Sequence, residues 1–468
     1  MGTRFDTSWV PELTSQPGPK YRALAGAIDD AIRTGALAPG VKLPPVREMA
    51  WEIGVTPGTV ARAYREATDA GALRANVGQG TFVRDRRETG RLIPLHPLTF
   101  QAGQDEIDLR NSRSPMIGQE GIIEAAILRA MSSGATVLDD YTRAANDLSV
   151  REAMSDWLHA GGVPGAASDV IPTYGTQQAV LIAMMASLSG QHPVMLVSEL
   201  VYPGFQQAAK LAGVELYPVA SDEDGLNPVA IEEACRIARP QAILVTANLH
   251  NPTLITMSEA RRQAIADIAR THDLQIVEDD VYGWLMEKRP PSFPSFCPER
   301  TWYATSLSKC VAAGLRFGVL VTPPGRGMVG QGIVQAMNYR VSSLIGQSVT
   351  QLITTGEADE IRELASAHLD ERIALTRKWL GRWGIRTAKG ANFCWLELPE
   401  DWHVASFDRA CRDQHIRIAT AGAYVLPGRD VPNKVRIALG MGMSDEIYED
   451  CLRRIDGVLA QPPVEMLT

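Results

Sequence analysis

At 468 residues the chain is too long for a single hydrophobic core, so two or three domains are expected. Its content of 45% hydrophobic and 21% charged residues is ordinary for a globular protein, and no apolar run reaches transmembrane length, so no membrane-spanning helix is expected. The net charge of −8 is uneven, since residues 1–90 carry 12 Lys and Arg against 10 Asp and Glu whereas the remainder carries 34 against 44, so only the N-terminal end suits contact with nucleic acid.

The first 84 residues predict a small unit of three helices followed by a β-hairpin. Apolar residues recur at helical spacing in the first segment, and glycines or prolines mark the predicted helix ends. The turn Gly54-Val55-Thr56 joins the last two helices, as in a helix-turn-helix, and a glycine-rich tip separates two short apolar pieces, as in a wing. The predicted helices span 21–34, 46–53 and 58–69, and the predicted hairpin strands span 72–74 and 81–83.

The pattern then changes from a linker to an α/β domain. Residues 85–107 predict a linker, because a charged run and two prolines show no helical periodicity. From about residue 108 short apolar strands alternate with amphipathic helices, which is typical of a mainly parallel sheet, and a long helix over 356–382 indicates a smaller α+β lobe. The predicted domains are therefore 1–84, the linker 85–107 and 108–468, and the predicted sheet strands are 193–198, 242–246, 275–278, 301–304 and 317–321.

The strongest chemical signal is Lys309, which follows Ser306 and Ser308 and precedes Arg316 by seven residues. Its amine can form a Schiff base with an aldehyde, while the hydroxyls and the guanidinium can bind a phosphate. The motif therefore suits a phosphate-bearing aldehyde such as pyridoxal 5'-phosphate (PLP). The alternative is a chance surface run of serines and lysine, and partners elsewhere in the chain decide between the two interpretations.

Five other sites, each at the end of a predicted strand or helix, fit the same cofactor. Amides at a helix start can cradle a phosphate, a tyrosine can stack on a pyridine ring, and an asparagine can bind its phenolate oxygen. A carboxylate can pair with the pyridinium nitrogen, and an arginine in an apolar strand can bind a substrate carboxylate. The ordinary alternatives are a capped helix start, a core tyrosine, an Asn-Pro turn, a solvated acidic loop and a structural ion pair. In that order the residues are Gly175, Thr176 and Gln177, then Tyr202, Asn251, Asp279 with Tyr282, and Arg436.

The order and spacing of these motifs resemble the fold-type I PLP aminotransferases over roughly residues 108–459. The resemblance implies that Lys309 forms the internal aldimine, that Asp279 pairs with the pyridine nitrogen and that Arg436 binds an α-carboxylate. Two departures stand out, since Leu254 replaces a usual glycine and Tyr174 replaces a usual small residue. The other implied roles are contact of Asn251 and Tyr282 with the ring oxygen, stacking by Tyr202, and phosphate binding by Gly175, Thr176, Gln177, Ser306, Ser308 and Arg316.

Residues 15–84 resemble the winged helix-turn-helix of GntR-type regulators, through runs such as Gly54-Val55-Thr56 and Gly78-x-Gly80-Thr81-Phe82-Val83. The resemblance implies that the third helix enters the major groove and that the wing tip approaches the minor groove. Pro57-Gly58 stands where many relatives carry base-reading residues, so phosphate contacts and the wing are expected to supply the affinity. The expected DNA-contact residues are Arg47, Thr56, Thr59, Arg62, Tyr64, Gly78, Gln79 and Gly80.

A GntR-like unit joined by a linker to an aminotransferase-like domain resembles the MocR subfamily of bacterial transcription regulators. This resemblance implies a head-to-tail, domain-swapped homodimer on a double-stranded DNA operator with two half-sites. It also implies a small amino acid or amine effector that is sensed as an external aldimine at Lys309. Two alternatives remain open: a working PLP-dependent aminotransferase with an auxiliary DNA-binding head, and a plain DNA-binding protein with a cofactor-free body.

Cysteine usage bears on the compartment and on metals. The six cysteines are scattered without paired spacing, which fits reduced thiols and gives no zinc-ligand pattern. The N-terminus lacks the apolar region of a signal peptide. We therefore expect a cytoplasmic protein with no metal site and no membrane partner.

Overall fold

The computed structural model describes residues 9–11, 20–38, 40–69, 72–76, 80–83, 106–134, 136, 148–427 and 429–461. The chain divides into two compact units near the boundary between His96 and Pro97. Most of the predicted linker lies outside the described residues, so its bounds remain a prediction. None of the helices in the described ranges is long and apolar enough to cross a membrane.

The first unit contains the three predicted helices and the predicted hairpin, each with ends within two residues of the expected positions. They are α1 (Lys20–Arg33), α2 (Val46–Glu52), α3 (Pro57–Asp69), β1 (Leu73–Asn76) and β2 (Gly80–Val83). Leu24 and Ile28 of α1 pack in one fully buried cluster with Val60 and Ala63 of α3, which is why apolar periodicity located these helices. Gly54, in the turn between α2 and α3, has a φ of 64°, a conformation that costs glycine little.

The second unit alternates helices and strands, as the sequence predicts. Its helices are α4 (Glu120–Ser132), α5 (Leu148–Ala160), α6 (Thr176–Ser187), α7 (Pro203–Ala212), α8 (Pro228–Ala238), α9 (Glu259–Thr271), α10 (Gly327–Asn338), α11 (Ser343–Thr354), α12 (Glu357–Leu380), α13 (Val404–Asp413) and α14 (Asp445–Leu459). Its strands are β3 (Ile107–Asp108), β4 (Val170–Thr173), β5 (Val194–Ser198), β6 (Glu215–Val219), β7 (Ser221–Asp222), β8 (Gly225–Leu226), β9 (Ala242–Val245), β10 (Gln275–Asp279), β11 (Thr301–Ser306), β12 (Gly318–Val321), β13 (Phe393–Glu397), β14 (Ile416–Arg417), β15 (Ala419–Thr420) and β16 (Lys434–Ala438).

Seven of these strands form one sheet in the order β4-β12-β11-β10-β9-β5-β6. Neighbouring strands are parallel except where β12 pairs with β11 and with β4, so the predicted mainly parallel sheet is confirmed. The sequence analysis identified the five inner strands and missed β4 and β6. Both missed strands lie at a sheet edge and contain a proline, Pro172 or Pro218, which cannot donate to a ladder and weakens the sequence signal of a strand.

Helices cover both faces of this sheet, and each face has its own apolar core. Ile276 of β10 and Ile243 of β9 belong to one core with residues of α8 and α9. Val277 and Leu244, the next residue of each strand, belong to the other core with residues of α6 and α7. Strands buried on both faces give continuous apolar runs, and these runs are the signal from which the inner strands were predicted.

The smaller α+β lobe predicted after residue 335 is also confirmed. It contains α12, expected over 356–382, and an antiparallel sheet in the order β13-β16-β15. Near the start of the second unit, β3 pairs in parallel with β14, and the backbone oxygen of Leu109 accepts a hydrogen bond of 2.8 Å from the amide of Ala438. The residues that follow the predicted linker are therefore anchored in the smaller lobe.

Candidate functional site

A cavity of about 370 Å³ lies in the second unit, beside the carboxyl ends of β10 and β11. Side chains that follow neighbouring parallel strands converge at one edge of a sheet, which is where such folds bind ligands. Every residue that the sequence predicts for the cofactor or for the effector carboxylate lines this cavity. They are Gly175, Thr176, Gln177, Tyr202, Asn251, Asp279, Tyr282, Ser306, Ser308, Lys309, Arg316 and Arg436.

Lys309 lies in the connection between β11 and β12, and its side chain reaches into the cavity. Its Nζ atom donates a hydrogen bond to the backbone oxygen of Ser112. Burial, with a contribution from the Arg436 guanidinium, lowers the pKa of Lys309 to about 8. A lysine with this pKa is neutral in an appreciable fraction near neutral pH, as attack on an aldehyde requires.

Asp279 is the last residue of β10 and is only 4% exposed. The hydroxyl of Thr246 donates to its Oδ2 atom at 3.2 Å, whereas Oδ1 is buried without a hydrogen-bond partner among the described residues. Burial, together with the neighbouring Asp280 carboxylate, raises the pKa of Asp279 to about 7. A protonated pyridine nitrogen would supply both the missing donor and a compensating charge.

Two further polar atoms that line the cavity are buried in the same way. Oγ1 of Thr176 and Oδ1 of Asn251 have no hydrogen-bond partner in the described part of the chain. Buried polar atoms in folded proteins nearly always have a partner, so several such atoms around one cavity indicate a polar ligand. A hydroxyl at a helix start suits a phosphate and an amide near the ring suits the phenolate oxygen, so the residues present fit PLP.

The start of α6 and the loop before β12 form the side of the cavity that suits a phosphate. Gly175 precedes α6 with a φ of 90°, and a Cβ atom there would lie 3.4 Å from the Arg316 guanidinium. That guanidinium donates a hydrogen bond of 3.2 Å to the backbone oxygen of Tyr174. Ser306 and Ser308 are buried beside it. Helix-start amides, hydroxyls and a guanidinium are together complementary to a phosphate dianion.

Arg436 lies in β16, is 3% exposed and stacks with its guanidinium carbon 4.2 Å from the centre of the Phe393 ring. Its Nη1 atom donates to the backbone oxygen of Arg110 at 2.9 Å, and its Nη2 atom donates to the hydroxyl of Ser112. Its Nε atom is buried without a partner among the described residues. The observed partners are thus a carbonyl and a hydroxyl rather than the carboxylate of a structural ion pair, which leaves the guanidinium available to an anion.

The aromatic residues predicted to contact the ring are held by neighbouring aromatic side chains. Tyr202 packs edge-on against Phe205 with ring centres 5.2 Å apart, and Tyr282 packs edge-on against Phe393 with ring centres 5.3 Å apart. Burial raises the pKa of Tyr282 to about 12, so its hydroxyl stays protonated and can donate a hydrogen bond.

Leu254, which stands where the resembled family usually has glycine, adopts a φ of 63°. This left-handed conformation explains why glycine is usual there, because other residues pay a steric cost. The Leu254 side chain is buried in an apolar cluster with Leu249 and Tyr282, and that packing compensates part of the cost.

The lining residues that were not predicted from the sequence include Arg110, Asn111, Ser112 and Tyr424. No motif surrounds them, and the two cations that Ser112 contacts are distant along the chain. Ser112 is 197 residues from Lys309 and 324 residues from Arg436. Only the fold brings them to the cavity, so no local signal was available to find them.

The predicted DNA contacts in the first unit are largely exposed. Arg47 on α2 and Arg62 on α3 face solvent, and the Arg62 guanidinium stacks 3.9 Å from the centre of the Tyr21 ring. Thr56 caps α3, because its Oγ1 atom accepts a hydrogen bond of 3.3 Å from the amide of Thr59. Its hydroxyl also lies 2.9 Å from the Thr59 hydroxyl, so both threonines lie at the start of α3.

Tyr64 does not fit its predicted contact with a DNA phosphate. The residue is 5% exposed within the apolar core of the first unit, and its hydroxyl donates to the backbone oxygen of Pro44 at 2.9 Å. Burial raises the pKa of this hydroxyl above its ordinary value. Gly80 is exposed at the start of β2, whereas Gly78 and Gln79 lie outside the described residues. We therefore treat Tyr64 as a core residue.

Within the described ranges, no group of three or more His, Cys, Asp and Glu residues could hold a metal ion. All six cysteines are buried and free.

Two family models match the chain: "Aminotransferase class I and II" over residues 109–455 and "Bacterial regulatory proteins, gntR family" over residues 20–83. The chain is 27% identical over 442 residues to the HTH-type transcriptional regulator YdeF of Bacillus subtilis, with 93% of each protein covered. It is 26% identical over 437 residues to MocR of Rhizobium meliloti, named as a rhizopine catabolism regulatory protein, covering 87% of this chain and 85% of MocR.

A solved structure shows the same fold. LysN, the α-aminoadipate aminotransferase of Thermus thermophilus, was crystallised with N-(5'-phosphopyridoxyl)-L-leucine. The two folds agree with a TM-score of 0.67 at 22% identity, over 76% of this chain and 92% of LysN. The chain therefore belongs to the class I and II aminotransferase family, and its gntR domain gives it the architecture of the MocR subfamily of transcription regulators.

Proposed function

We propose that this chain is a PLP-dependent transcription regulator, which binds an operator through its winged helix and senses an amino acid or amine effector at Lys309. The proposal rests on one cavity, which Lys309 lines together with three residues that each have a buried polar atom without a partner among the described residues. The atoms belong to Asp279, Asn251 and Thr176. The relatives YdeF and MocR align over most of their length and are named as regulators, which supports regulation over metabolism.

Bound PLP supplies an aldehyde that bonds to an amine and a ring that withdraws electrons. In this proposal Lys309 would hold the cofactor and give way to the amine of an effector, and Asp279 would keep a proton on the ring nitrogen. Arg436 binds the effector carboxylate. The remaining roles are contact with the ring oxygen by Asn251 and Tyr282, stacking by Tyr202, and phosphate binding by Gly175, Thr176, Gln177, Ser306, Ser308 and Arg316.

The DNA contacts proposed are Arg47, Thr56, Thr59 and Arg62, with the wing residues Gly78, Gln79 and Gly80. Exposure of the two arginines and the position of the two threonines at the start of α3 support this set. We also propose a head-to-tail, domain-swapped homodimer that binds two half-sites. Exposed apolar side chains on α10, among them Met328 at 85% and Met337 at 42%, are of the kind that a second copy covers.

An aminotransferase with an auxiliary DNA-binding head is the second candidate. The observation in its favour is that Lys309, Asp279 and Arg436 all line one cavity, so the groups that transamination needs are present. A cofactor-free body fits less well, because it leaves buried polar atoms without partners. The cytoplasmic location expected from the sequence stays a prediction.

A visible absorption titration of the PLP-loaded protein with amino acids and amines tests the function. A lasting shift of the cofactor band without keto acid supports a sensor, whereas conversion to the pyridoxamine form with keto acid release supports an aminotransferase. A parallel gel-shift assay uses DNA from the region upstream of the protein's own gene. Retention of that fragment no stronger than that of a scrambled fragment of equal length would contradict the regulator.

A further inference from the structure

The segment 106–114 is the first described part of the chain after most of the predicted linker, and it runs past the cavity. The amide of Leu109 donates to the backbone oxygen of Arg417 at 2.8 Å, and its carbonyl accepts from the amide of Ala438 at 2.8 Å. The second bond ties the segment to β16, the strand that carries Arg436. The segment thus follows most of the predicted linker in the sequence and borders the proposed effector site in the fold.

Ser112, within this segment, contacts both Lys309 and Arg436, the two cationic residues of the proposed effector site. Its hydroxyl accepts a hydrogen bond from Nη2 of Arg436, and its backbone oxygen accepts one from Nζ of Lys309. The Ser112 side chain also acts on the Tyr282 hydroxyl, lowering the pKa that burial raises. One small residue is therefore shared by the group that would bind the carboxylate of an amino acid and the lysine that its amine would displace.

The carboxylate end of an effector competes with Ser112. Arg436 has a buried Nε atom without a partner among the described residues, and Nε and Nη2 form one edge of the guanidinium. A carboxylate binds such an edge with two parallel hydrogen bonds and is a stronger acceptor than a hydroxyl. Binding there takes Nη2 from Ser112 and leaves Nη1 on the backbone oxygen of Arg110.

The amine end has the opposite effect. A nitrogen that is bonded to the cofactor keeps at most one proton, whereas a free lysine ammonium has three donors. The contact between Nζ of Lys309 and the backbone oxygen of Ser112 therefore belongs to free Lys309. An effector amine that takes the place of Lys309 on the cofactor makes this contact available.

We propose that Ser112 is a positioning residue that exchanges Arg436 for Lys309 when an effector binds, and so reports occupancy of the site to the segment 106–112. This inference rests on the proposed function. A molecule with both an amine and a carboxylate causes the complete exchange, whereas a simple amine releases Lys309 but leaves Arg436 on Ser112. The effector class selected by this device is therefore the amino acids.

The contacts around Ser112 determine which residues become more mobile when the Arg436 contact is lost. On its C-terminal side the backbone oxygen of Arg113 accepts from Asn392 at 2.9 Å, and the hydroxyl of Ser114 accepts from the amide of Ala313 at 3.2 Å. These bonds use atoms that the effector does not reach, so they persist. The backbone bonds of Leu109 with Arg417 and Ala438 persist for the same reason, so the loss of the Arg436 contact loosens mainly residues 110–112, between the two anchored ends.

Hydrogen–deuterium exchange of the full-length, PLP-loaded protein tests the inference. The ligand is the amino acid, among the twenty common ones, that most changes the visible spectrum, and its decarboxylated amine is the matched probe. The amino acid is expected to speed exchange of the 106–112 amides severalfold, since Ser112 exchanges a guanidinium held on β16 for the amine of a long, flexible side chain. The amine is expected to change the spectrum without this increase.

Two serine variants test the same contact without any ligand. Ser112→Ala is expected to show the faster exchange of 106–112 in the effector-free protein and no further increase with the amino acid. Ser114→Ala, in the same segment but without contact to either cation, is expected to behave as wild type. Retention of the cofactor band and of the melting temperature shows that both variants fold.

Failure of the role of Ser112 and failure of the proposed function give different results. Equal exchange with amino acid and amine, or wild-type exchange in effector-free Ser112→Ala, would overturn the role of Ser112 while a spectral shift and DNA binding uphold the proposed function. If no amino acid changes the spectrum, effector sensing fails, and the Ser112→Ala comparison still decides whether Ser112 restrains the segment.

Discussion

The groups proposed to contact DNA and the groups that line the cavity have opposite surroundings. Arg47 and Arg62 are exposed on adjacent helices, whereas Asp279 and Arg436 are 4% and 3% exposed and come from different strands. Water and salt screen an exposed cation, so each DNA contact contributes little and the DNA affinity is the sum of many contacts. A buried charge without a partner is strongly unfavourable, so the loss of a single partner atom in the cavity is expected to have a large effect. We therefore expect abrupt effects in the cavity and graded effects on the DNA surface.

The largest effect is expected for Lys309→Ala. The variant lacks the amine that bonds to PLP, so the visible band of the Schiff base should be lost completely. Absorbance after dialysis against PLP measures it, and Lys288→Ala, an exposed lysine of the same unit, is the control. DNA binding by the folded variant should persist, and a simultaneous loss would contradict the separation of the two regions.

Asp279→Asn should weaken PLP binding without abolishing it. The amide cannot compensate the charge on a protonated ring nitrogen, and loss of a hydrogen bond to a charged group, about 1.5–3 kcal/mol, corresponds to roughly ten- to hundredfold in affinity. Equilibrium dialysis of PLP measures the change, with Asp267→Asn on the surface of α9 as the matched control. Equal affinities in the two variants would place the ring nitrogen elsewhere.

The rate of PLP incorporation into the apoprotein should rise through about pH 8. Burial lowers the pKa of Lys309 to about 8, so its amine becomes neutral and reactive above that pH. Roughly a tenth of this amine is neutral at pH 7, which predicts about a tenfold faster reaction at pH 9, whereas an ordinary lysine of pKa about 10.4 would still be mostly protonated there. Stopped-flow absorbance measures the profile, and a rise centred near pH 10 would show that the cavity does not activate Lys309.

Arg62→Ala should lower DNA affinity only severalfold. Removal of one phosphate contact should reduce the slope of log affinity against log salt by about 1, and the cofactor band should be unchanged. Fluorescence anisotropy at several salt concentrations measures both quantities, with Arg409→Ala on the exposed side of α13 as the control. A complete loss of DNA affinity, comparable to the loss of the PLP band in Lys309→Ala, would contradict the graded effects expected on the DNA surface.

The same contrast explains what the sequence could predict. The helices of the first unit and the run around Lys309 were found because their signals lie within contiguous residues. The cavity residue Ser112 was missed because its partners lie 197 and 324 positions away, where no local pattern records them. Tyr64 was expected to contact DNA because of the resemblance to GntR-type regulators, and only its packing against α1 and Pro44 shows that it is a core residue.

Tyr64→Phe should have the smallest effect and separates packing from DNA contact. The hydroxyl donates to the backbone oxygen of Pro44 at 2.9 Å, so its removal should lower the local stability of α3 by about 1 kcal/mol, the usual contribution of one hydrogen bond. Hydrogen exchange of the α3 amides measures this change. DNA affinity should remain at the wild-type value, because a buried hydroxyl with an internal partner makes no contact with a phosphate. A lower DNA affinity with unchanged exchange would instead return Tyr64 to the DNA surface, and would mean that α3 binds through a face that its packing now conceals.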